Sequence, residues 1–521
     1  MLSAARRRPS MARRACIHGG YYVTHAVTGE ILLAAGTSSG RLNLTARRDN
    51  CTPVGMRHLV TSAMLAAALS IGCGSTPTTT DETAPVNPEL TPANDLNDDP
   101  ATLEIDLEAF EASKQYEPGR VTPVWTYNGT VPGPLIDAQV GDRLLAHFKN
   151  SLPESTTIHW HGVRLPAAMD GTLRMQDPVP PGESFEYEFE LKDPGLFWFH
   201  PHIRSDEQIE KGLYGVIRVR GTSEPEVDQE SIWVLDDVNV LPDGSLSMYL
   251  DDNSKMLGRQ GNTLLINGQP NARLTWRSGT LQRVRIVNVA NGRFFNLSLP
   301  GYTWRVIGTD GGLLPAAYET ERLLLSPGER YDVLVIPDED PGAELSLMND
   351  PYERGHDTGQ EAPMRVATIA ITDEESLAGR SFPDTTAELE AFADGPTDHV
   401  LELNEELNGE DLLFTVNGAT FPDVPLIEAT VGDLLRFEVN NTSEMDHPFH
   451  VHGTFFQVLS SGGGATASEM LANKDTVIVP QMSTLRFAAR FDEPGGWMYH
   501  CHILEHAEGG MMGEIDIQPA P

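Results

Sequence analysis

A short segment near the C-terminus combines three kinds of metal-binding side chain: His500-Cys501-His502, followed by His506 and Met511. Along an extended strand side chains alternate faces, so His500 and His502 point one way and Cys501 the other. Cys501, His506 and Met511 are three parts of a copper site that uses two histidines, one cysteine and a distant axial methionine. The second histidine must come from elsewhere. One strand would then serve two metal sites joined by a short stretch of backbone, which suggests an oxidase built for one-electron transfer.

Ten of the sixteen histidines fall in four short clusters, one of which is the segment just described. Each cluster contains a pair separated by one residue, which on a strand places two imidazoles on one face. Eight neutral imidazoles from two domains can hold three copper ions with coordination left open for oxygen, whereas a structural zinc needs four ligands and no vacancy. His447 lies outside the pairs and is the candidate second imidazole for Cys501. The clusters are His159-Trp160-His161-Gly162, His200-Pro201-His202, His447-Pro448-Phe449-His450-Val451-His452 and His500-Cys501-His502 with His506.

The elements that must position these residues repeat along the chain. With 521 residues there is room for three domains, each of roughly 120 to 150 residues. Asn-Gly recurs at Asn128-Gly129, Asn267-Gly268 and Asn417-Gly418, each time followed by a turn and an alternating strand. Few helical periods interrupt this pattern, which predicts an all-β chain of three antiparallel β-sandwiches.

The predicted domains span residues 101–222, 223–375 and 396–521, with an acidic connector at 376–395. Histidine clusters occur only in the first and third domains. In the second domain the equivalent place reads FFNLSLP, Phe294 to Pro300, without a histidine. We therefore expect a metal cluster between domains one and three, with domain two as a spacer.

Composition narrows the class of partner. The formal charge is −38, which makes nucleic acid an improbable partner and is at most a weak indication of cationic substrates. Of the four cysteines, Cys16, Cys51 and Cys73 precede the predicted folded region, so Cys501 has no intrachain partner there. A disulfide framework is not expected.

Residues 1–73 are predicted to be an export leader. From Arg57 a basic start leads into an apolar run, and Gly72 precedes Cys73, as in the lipobox of bacterial lipoproteins, although Ser70 departs from that pattern. Met56 is the better candidate start. The prediction is a periplasmic or cell-envelope protein, attached to the membrane only through a lipid on Cys73. The alternative is a chance apolar run in a disordered leader. Residues 74–100 are rich in Thr, Pro, Asn and Asp and are predicted to be a disordered tether.

In this order and spacing, the motifs HWHG, HxH, HPxHxHG and HCHxxxHxxxxM resemble those of the multicopper oxidases, specifically the three-domain group that includes laccases. The resemblance covers residues 101–521. It implies cupredoxin-like Greek-key domains, four copper ions, and oxidation of a phenolic or aromatic donor coupled to four-electron reduction of O2 to water. By the same resemblance, the type 1 copper takes His447, Cys501, His506 and Met511; the type 2 copper takes His159 and His450; and the type 3 pair takes His161, His200, His502 and His202, His452, His500.

The resemblance also implies roles in electron and proton transfer. Electrons would enter through His506 or His447 at the surface. Asp170 matches a carboxylate used for proton delivery, although Asp170-Gly171 is also a plain turn signal. Ala507 replaces an acidic residue that many bacterial relatives carry, and Glu505 or Glu508 would substitute only if the loop directs them inward.

Some residues keep a second interpretation. Met512 is the alternative axial ligand to Met511, and Trp160, Trp198 and Phe199 are most simply core aromatics. The alternative to the histidine sites is a set of buried core imidazoles or a surface zinc site.

Other functions also compete with a laccase-like oxidase. The first is a metallo-oxidase for Cu(I), Fe(II) or Mn(II), although the chain has no Met-rich insertion and only Met169 and Met175 lie near a histidine cluster. A structural relative without copper ligands, a nitrite reductase and a copper store are less consistent with the intact motifs.

Overall fold

The computed structural model describes residues 88–247, 252–372, 381–383, 387–408, 411–465 and 471–521. The predicted leader, the lipobox cysteine Cys73 and the first part of the predicted tether lie outside the described residues. Within these ranges, no helix is both long and apolar enough to cross a membrane. The chain is nearly all β, as the sequence predicts.

The first pair of sheets uses residues 102–220 and has the strand orders β2-β1-β4-β6 and β3-β8-β7-β5. Its strands form because apolar residues alternate: in Arg143–Asn150, Leu144, Ala146 and Phe148 are buried while their neighbours are more exposed. The strands are β1 (Thr102–Glu117), β2 (Arg120–Tyr127), β3 (Leu135–Gln139), β4 (Arg143–Asn150), β5 (His159–His161), β6 (Ser184–Glu190), β7 (Gly195–His200) and β8 (Gly215–Arg220).

The second pair of sheets uses residues 229–372 and has the orders β11-β10-β9-β13-β18-β15-β16 and β12-β20-β19-β14-β17. Its strands are β9 (Gln229–Val238), β10 (Thr263–Ile266), β11 (Gln269–Pro270), β12 (Ala272–Arg277), β13 (Gln282–Asn288), β14 (Phe295–Ser298), β15 (Trp304–Thr309), β16 (Gly312–Thr320), β17 (Arg322–Leu325), β18 (Arg330–Val335), β19 (Glu344–Asn349) and β20 (Met364–Thr372).

The third pair of sheets uses residues 399–518 and has the orders β22-β21-β24-β29-β26-β27 and β23-β31-β30-β25-β28. Its strands are β21 (His399–Asn408), β22 (Asp411–Val416), β23 (Ile427–Thr430), β24 (Leu434–Asn441), β25 (His447–Val451), β26 (Phe456–Ser461), β27 (Gly464–Ala465), β28 (Thr476–Val479), β29 (Ser483–Arg490), β30 (Gly495–Cys501) and β31 (Met512–Gln518). The described residues also contain three short α-helices, α1 (Ser205–Glu210), α2 (Asp252–Leu257) and α3 (Leu504–Glu508), and two 3₁₀ turns, Ala167–Met169 and Thr358–Gln360.

The prediction of purely antiparallel sandwiches is wrong in one respect. Each pair of sheets contains two parallel strand pairs: β1 with β4 and β3 with β8, then β9 with β13 and β12 with β20, then β21 with β24 and β23 with β31. Strands that return by a long connection, as in a Greek key, can pair in parallel. The recurrence of the same two pairs shows that the sequence repeat is also a structural repeat.

The three Asn-Gly turns have one physical role. Asn128, Asn267 and Asn417 all have positive φ values, 54°, 51° and 54°, and each is followed by a glycine with positive φ. Two successive left-handed residues are typical of a tight hairpin turn. Each Asn Oδ1 also accepts a backbone N–H from a neighbouring strand, that of Glu108, Val234 or Glu402, at 2.7 to 2.8 Å. The side chain therefore ties the turn to the sheet.

The predicted tether is too long. Thr91 and Ala93 exchange backbone hydrogen bonds with Leu135, both at 2.7 Å, so residues 88–100 contact the first pair of sheets. Leu90 packs against a cluster of buried apolar residues, and the side chains of Asp95 and Asn97 accept N–H groups two residues further on. Local turns and one backbone pairing hold it, which a composition argument misses. The boundaries of the three domains stay a prediction.

The buried apolar residues of the three sandwiches do not form three equal cores. Buried apolar residues of the first and third pairs of sheets form one continuous cluster, which contains Trp160, Phe199 and Cys501. Most of the second pair has a separate cluster around Trp233 and Trp276. The two regions that carry histidines therefore share a core, which holds them in a fixed relation.

Candidate metal centres

Cys501 lies at the centre of the first candidate site. β30 ends at Cys501 and pairs with β25, which places Phe449 opposite Cys501 and the histidines of β25 beside it. Cys501 Sγ is 3.5 Å from His447 Nδ1 and 3.7 Å from His506 Nδ1, and the two Nδ1 atoms are 3.2 Å apart. The fold thus brings together the three residues that the sequence proposed, of which His447 and Cys501 are 54 positions apart.

The hydrogen bonds of these histidines decide which ring nitrogens face the sulfur. His506 Nε2 donates to the carbonyl oxygen of Met256 at 2.9 Å, and His447 Nε2 lies 2.8 Å from Ser443 Oγ. Ser443 Oγ directs its own proton at other oxygens, so it accepts from His447. Both Nδ1 lone pairs then point at each other and at Cys501, which is repulsive unless a cation lies between them. This donor set fits copper.

Burial favours the uncharged forms of all three side chains at this site. Burial raises the pKa of the Cys501 thiol far above its usual range, and lowers the pKa of His447 to about 3. Burial also lowers the pKa of His506 well below its usual value, with His447 adding to the shift. The imidazoles are therefore neutral ligands, while the thiol needs a bound cation to ionise.

Met511 is the better candidate than Met512 for the axial position. Its side chain is fully buried in the cluster that contains Cys501, whereas Met512 is half-buried at the start of β31. Backbone hydrogen bonds join Met511 to Cys501 and to His506, both at 3.0 Å. The turn that carries Met511 is thus tied to the other ligands.

The expectation that His506 or His447 reaches the surface is wrong. Both side chains are fully buried. Helix α2 lies over His506, and the main-chain oxygen of Met256 occupies its outer nitrogen. The ring of Phe414 stacks on His506 with centroids 4.0 Å apart. The cover comes from the second sandwich, 250 residues earlier in the chain, so local spacing holds no sign of it.

Eight other histidines converge between the first and third sandwiches. β5 pairs with β7 so that His159 lies opposite His200, and β25 pairs with β30 so that His450 lies opposite His500. The pair His159 and His161 lies wholly within β5, whereas each of the other three His-x-His pairs has its second histidine just beyond the end of a strand. Groups of donor atoms within 4.8 Å of one another are His159, His161 and His200; His159, His450 and His452; His202, His452 and His500; and His161, His450 and Asp475.

The contact between His452 and His500 indicates that this cluster binds cations. His452 Nε2 lies 3.1 Å from His500 Nε2. His452 Nδ1 donates to Asp170 Oδ2 at 2.9 Å, and His500 Nδ1 donates to the Cys501 carbonyl at 2.8 Å. Two acceptor nitrogens therefore face each other, with His202 Nε2 a further 3.4 Å from His500 Nε2. Neutral imidazoles in this arrangement repel each other unless a metal ion is shared.

The remaining imidazoles agree with this interpretation. One nitrogen of His159, His200 and His450 is hydrogen-bonded to a backbone carbonyl at 2.8 to 2.9 Å. The other nitrogen of each has no hydrogen-bond partner among the described residues, and neither nitrogen of His502 has one. Burial lowers the pKa of His200, His450 and His502 well below the usual value, so they are neutral. Buried, neutral and unpartnered nitrogens fit several copper ions.

Asp170 lies where the sequence proposed it. The 3₁₀ turn Ala167–Met169 leads into it, and its side chain is almost fully buried. Asp170 Oδ2 accepts from His452, and Oδ1 lies 3.2 Å from His159 Nδ1. The turn interpretation also holds, because a side chain at Gly171 would overlap the Ile158 carbonyl. The turn therefore holds the Asp170 carboxylate beside His159 and His452.

The sequence missed two residues at this cluster. Asp475 Oδ1 is 3.1 Å from His161 Nε2, and Arg330 of the second sandwich binds both Asp475 oxygens at 2.6 Å. The interpretation of the second sandwich as a spacer is therefore wrong, although none of its described residues belongs to a candidate ligand group. The only sequence signal was a charged residue at the start of β18, a strand that is mostly apolar after Asp332.

Glu505 and Glu508 do not take the place left by Ala507. Glu505 is buried and accepts from Asn291 Nδ2 at 3.2 Å, and Glu508 accepts from the backbone and hydroxyl of Ser205. Both carboxylates thus tie α3 to other parts of the chain, and neither is hydrogen-bonded to a candidate ligand.

The aromatic residues have the predicted core role, with one addition. Trp160, Trp198 and Phe199 are fully buried. The ring of Trp198 also lies 4.1 Å from that of His200 and 5.0 Å from that of His161, measured between centroids. Trp198 is therefore one wall of the histidine cluster.

Comparison with known proteins agrees with this geometry. Three family models, each described as multicopper oxidase, match residues 111–224, 242–374 and 394–521. The multicopper oxidase MmcO of Mycobacterium tuberculosis is 30% identical over 443 residues, which cover 76% of this chain and 84% of that protein. The chain belongs to the multicopper oxidase family. It is a copper-dependent oxidoreductase that oxidises a reducing substrate with O2.

Solved structures show the same fold. A multicopper oxidase from Campylobacter jejuni, described as a metallo-oxidase, is 28% identical with a TM-score of 0.73, covering 82% of this chain and 94% of that one. A laccase-like oxidase from Ochrobactrum sp., described as active towards lignin model compounds and lignosulfonate, is 25% identical with a TM-score of 0.71, covering 82% and 99%. The prediction of three cupredoxin-like sandwiches is confirmed.

Proposed function

We propose that the chain couples one-electron oxidation of a phenolic or aromatic donor to four-electron reduction of O2 to two waters. The observation that carries this proposal is the position of Cys501 between His500 and His502. Its sulfur faces His447 and His506, while His500 Nε2 lies 3.1 Å from His452 Nε2 in the other cluster. One segment of backbone therefore belongs to both sites.

The proposed ligand sets follow the family pattern on these residues. Copper, when bound, supplies one-electron redox chemistry at Cys501 and the binding and reduction of O2 at the histidine cluster. We propose four ions: type 1 on His447, Cys501, His506 and Met511; type 2 on His159 and His450; one type 3 on His161, His200 and His502; the other on His202, His452 and His500.

The chain's own residues have three tasks in this reaction. The fully buried ligands keep water away from Cys501. The backbone of His500-Cys501-His502 gives electrons a short covalent path between the sites. Asp170, held by His452, can take up and release a proton beside the histidine cluster, where O2 reduction consumes four protons.

The donor must approach without touching a ligand. Because the Met256 carbonyl covers His506, electrons that enter through His506 cross the backbone of α2 or its edges. We propose that donors dock against α2. The phenolic class is supported by the likeness to the Ochrobactrum enzyme.

A metal-ion donor is the second candidate. Beside the Cys501 site, His356 Nε2 lies 3.4 Å from Glu405 Oε2, and Glu405 Oε1 is buried with no hydrogen-bond partner among the described residues. Burial raises the pKa of the Glu405 carboxyl above its usual value. A cation bound beside this carboxyl would favour its ionised form. The likeness to the Campylobacter metallo-oxidase supports the same interpretation.

Oxygen consumption by the copper-loaded protein separates the two. Initial rates are measured with a phenolic dye, and then with Cu(I), Fe(II) and Mn(II). Turnover of the phenol without the metal ions supports the laccase-like proposal, and the reverse result supports the metallo-oxidase. Protein that holds copper but consumes no oxygen with any donor contradicts both.

We also propose that the chain is exported and anchored by a lipid on Cys73, on the strength of the sequence alone. Cys73→Ala should move the protein from the membrane fraction to the soluble fraction while oxidase activity per copper stays the same. Equal distribution of the two proteins would contradict the anchor.

A further inference from the structure

Arg330, at the start of β18, is fully buried where the three sandwiches meet. All five of its N–H groups have an acceptor. Nε donates to the Leu196 carbonyl at 2.9 Å, Nη1 to the Gly328 carbonyl at 3.1 Å, and Nη2 to the Asp310 carbonyl at 3.1 Å. The other two bind the oxygens of Asp475, each at 2.6 Å. Such a fork fixes the plane of the carboxylate as well as its position.

The fixed carboxylate in turn contacts a candidate ligand. Asp475 Oδ1 lies 3.1 Å from His161 Nε2. Arg330 Nη1 and Thr476 Oγ1 both donate to Asp475 Oδ1, so this oxygen is an acceptor and His161 donates to it from Nε2; Thr476 Oγ1 lies 3.2 Å from the same nitrogen. His161 Nδ1 is buried and has no hydrogen-bond partner among the described residues. The lone pair of His161 that faces the histidine cluster is therefore on Nδ1.

Other charged side chains lie buried beside Asp475 and Arg330. Lys474 Nζ lies 3.2 Å from Asp310 and 3.0 Å from Glu329, and Arg330 binds Asp475. Counted as formal charges, these two cations and three carboxylates sum to −1. A buried group that is negative overall favours cations beside it.

Two glycines allow the close approach. Gly162 has a φ of +83°, and a Cβ there would overlap Arg330 and Asp475. Gly328 has a φ of +88°, and a Cβ there would lie 2.9 Å from His502 Cδ2. The turn before β18 is therefore in direct contact with the histidine cluster.

We propose that Arg330 and Asp475 are positioning residues, through which the second sandwich holds His161 in the Nε2-protonated form that presents Nδ1 to copper. This proposal rests on the proposed function, because it assumes that His161 binds copper. It gives the sandwich without ligands a specific part in assembling the oxygen site.

The test uses copper-loaded, full-length protein and the variant Arg330→Lys, which keeps the charge but cannot form the fork. Copper release to a chelator is followed over time by metal analysis, by the blue absorption of the Cys501 site and by the type 2 paramagnetic signal. We expect the histidine cluster to lose copper about 10 times faster or more. The blue absorption should decay at the wild-type rate.

A matched control is available in the second sandwich. Arg283 is equally buried and binds Asp332 through Nε at 3.0 Å and Nη2 at 2.5 Å, and neither residue is hydrogen-bonded to a histidine in the part of the chain that the structure describes. Arg283→Lys should lower thermal stability without selective copper loss. If Arg330→Lys does not fold, Asp475→Asn keeps the size of the side chain and should show the same selective loss.

The outcomes are distinct. Selective copper loss from the histidine cluster in the Arg330 or Asp475 variant supports the proposal. Unchanged release, or equal loss from both sites as a general loss of stability would produce, overturns it. Wild-type protein that holds copper in both sites but consumes no oxygen contradicts the proposed function and leaves the copper-release comparison intact.

Discussion

The two candidate metal sites differ in how far their parts are separated along the chain. The Cys501 site takes its proposed ligands from residues 447 to 511, all in the third pair of sheets. The histidine cluster takes ligands from the first and third pairs, and a charged support from the second. The proposed ligands of the first site therefore belong to one sandwich, with Met256 of the second sandwich bonded to one of them, whereas the second site exists only once three sandwiches have assembled. Variants that affect one site and spare the other test this comparison.

The largest expected effect is that of Cys501→Ser. The hydroxyl is a poor substitute for a soft thiolate, so oxygen consumption with any donor should fall by at least about 1,000-fold. Metal analysis and absorption spectra check this. The blue absorption should disappear while the histidine cluster keeps its copper. Loss of copper from both sites would show that the two sites do not assemble independently.

His452→Ala should give the complementary result. It removes a ligand and leaves His500 without its neighbour at 3.1 Å. Oxygen consumption should fall by about 100- to 1,000-fold, since a metal ion contributes several kcal/mol to catalysis. Under anaerobic conditions the donor should still bleach the blue absorption at the wild-type rate. Slow bleaching would contradict separate roles for the two sites.

Asp170→Asn should act on the histidine cluster alone. The amide can still accept from His452 but cannot carry a proton, so turnover should fall by about 100-fold. Stopped-flow measurement should show unchanged reduction by the donor and slower reoxidation by O2. Equal activity of Asp170→Asn and wild type would leave Asp170 with only its role in the turn.

A smaller effect is expected from removing the cover over His506. Deleting Asp252–Leu257 takes away the Met256 carbonyl and should raise kcat/KM for a bulky phenol about 3- to 10-fold, as expected for removal of a lid. The rate with a small donor should change less. Rates that fall for all donors would show that α2 conducts electrons or supports His506 rather than restricts access.

The smallest effect should come from Asp236 of the second sandwich, which belongs to no candidate ligand group among the described residues. Burial, together with the neighbouring Asp237, raises the pKa of Asp236 to about 7. The folded chain therefore holds this proton more tightly than the unfolded chain, so stability should fall as pH rises from about 4 to about 7, by at most about 1.4 kcal/mol per pH unit. Asp236→Asn should flatten this dependence in thermal unfolding of the copper-loaded protein. An unchanged slope would assign it to other groups.

Much of the fold could be predicted from local signals. The Asn-Gly turns mark equivalent hairpins in all three sandwiches because a left-handed pair of residues is a local requirement. The antiparallel expectation failed for two strand pairs in each sandwich, because alternation identifies a strand but not the direction of its neighbour. The predicted tether extended too far along the chain because Asp95 and Asn97 stabilise turns that composition does not reveal.

The sequence by itself determined which residues can bind metal, because residue type and the spacing of His500, Cys501 and His502 hold on any extended strand. Only the tertiary structure decided that Met256 covers His506 and that Arg330 reaches His161 through Asp475. These contacts join residues 145 to 314 positions apart. Each is a single hydrogen bond or ion pair with no period along the chain, so it exists only where the packing of the sandwiches brings its two ends together.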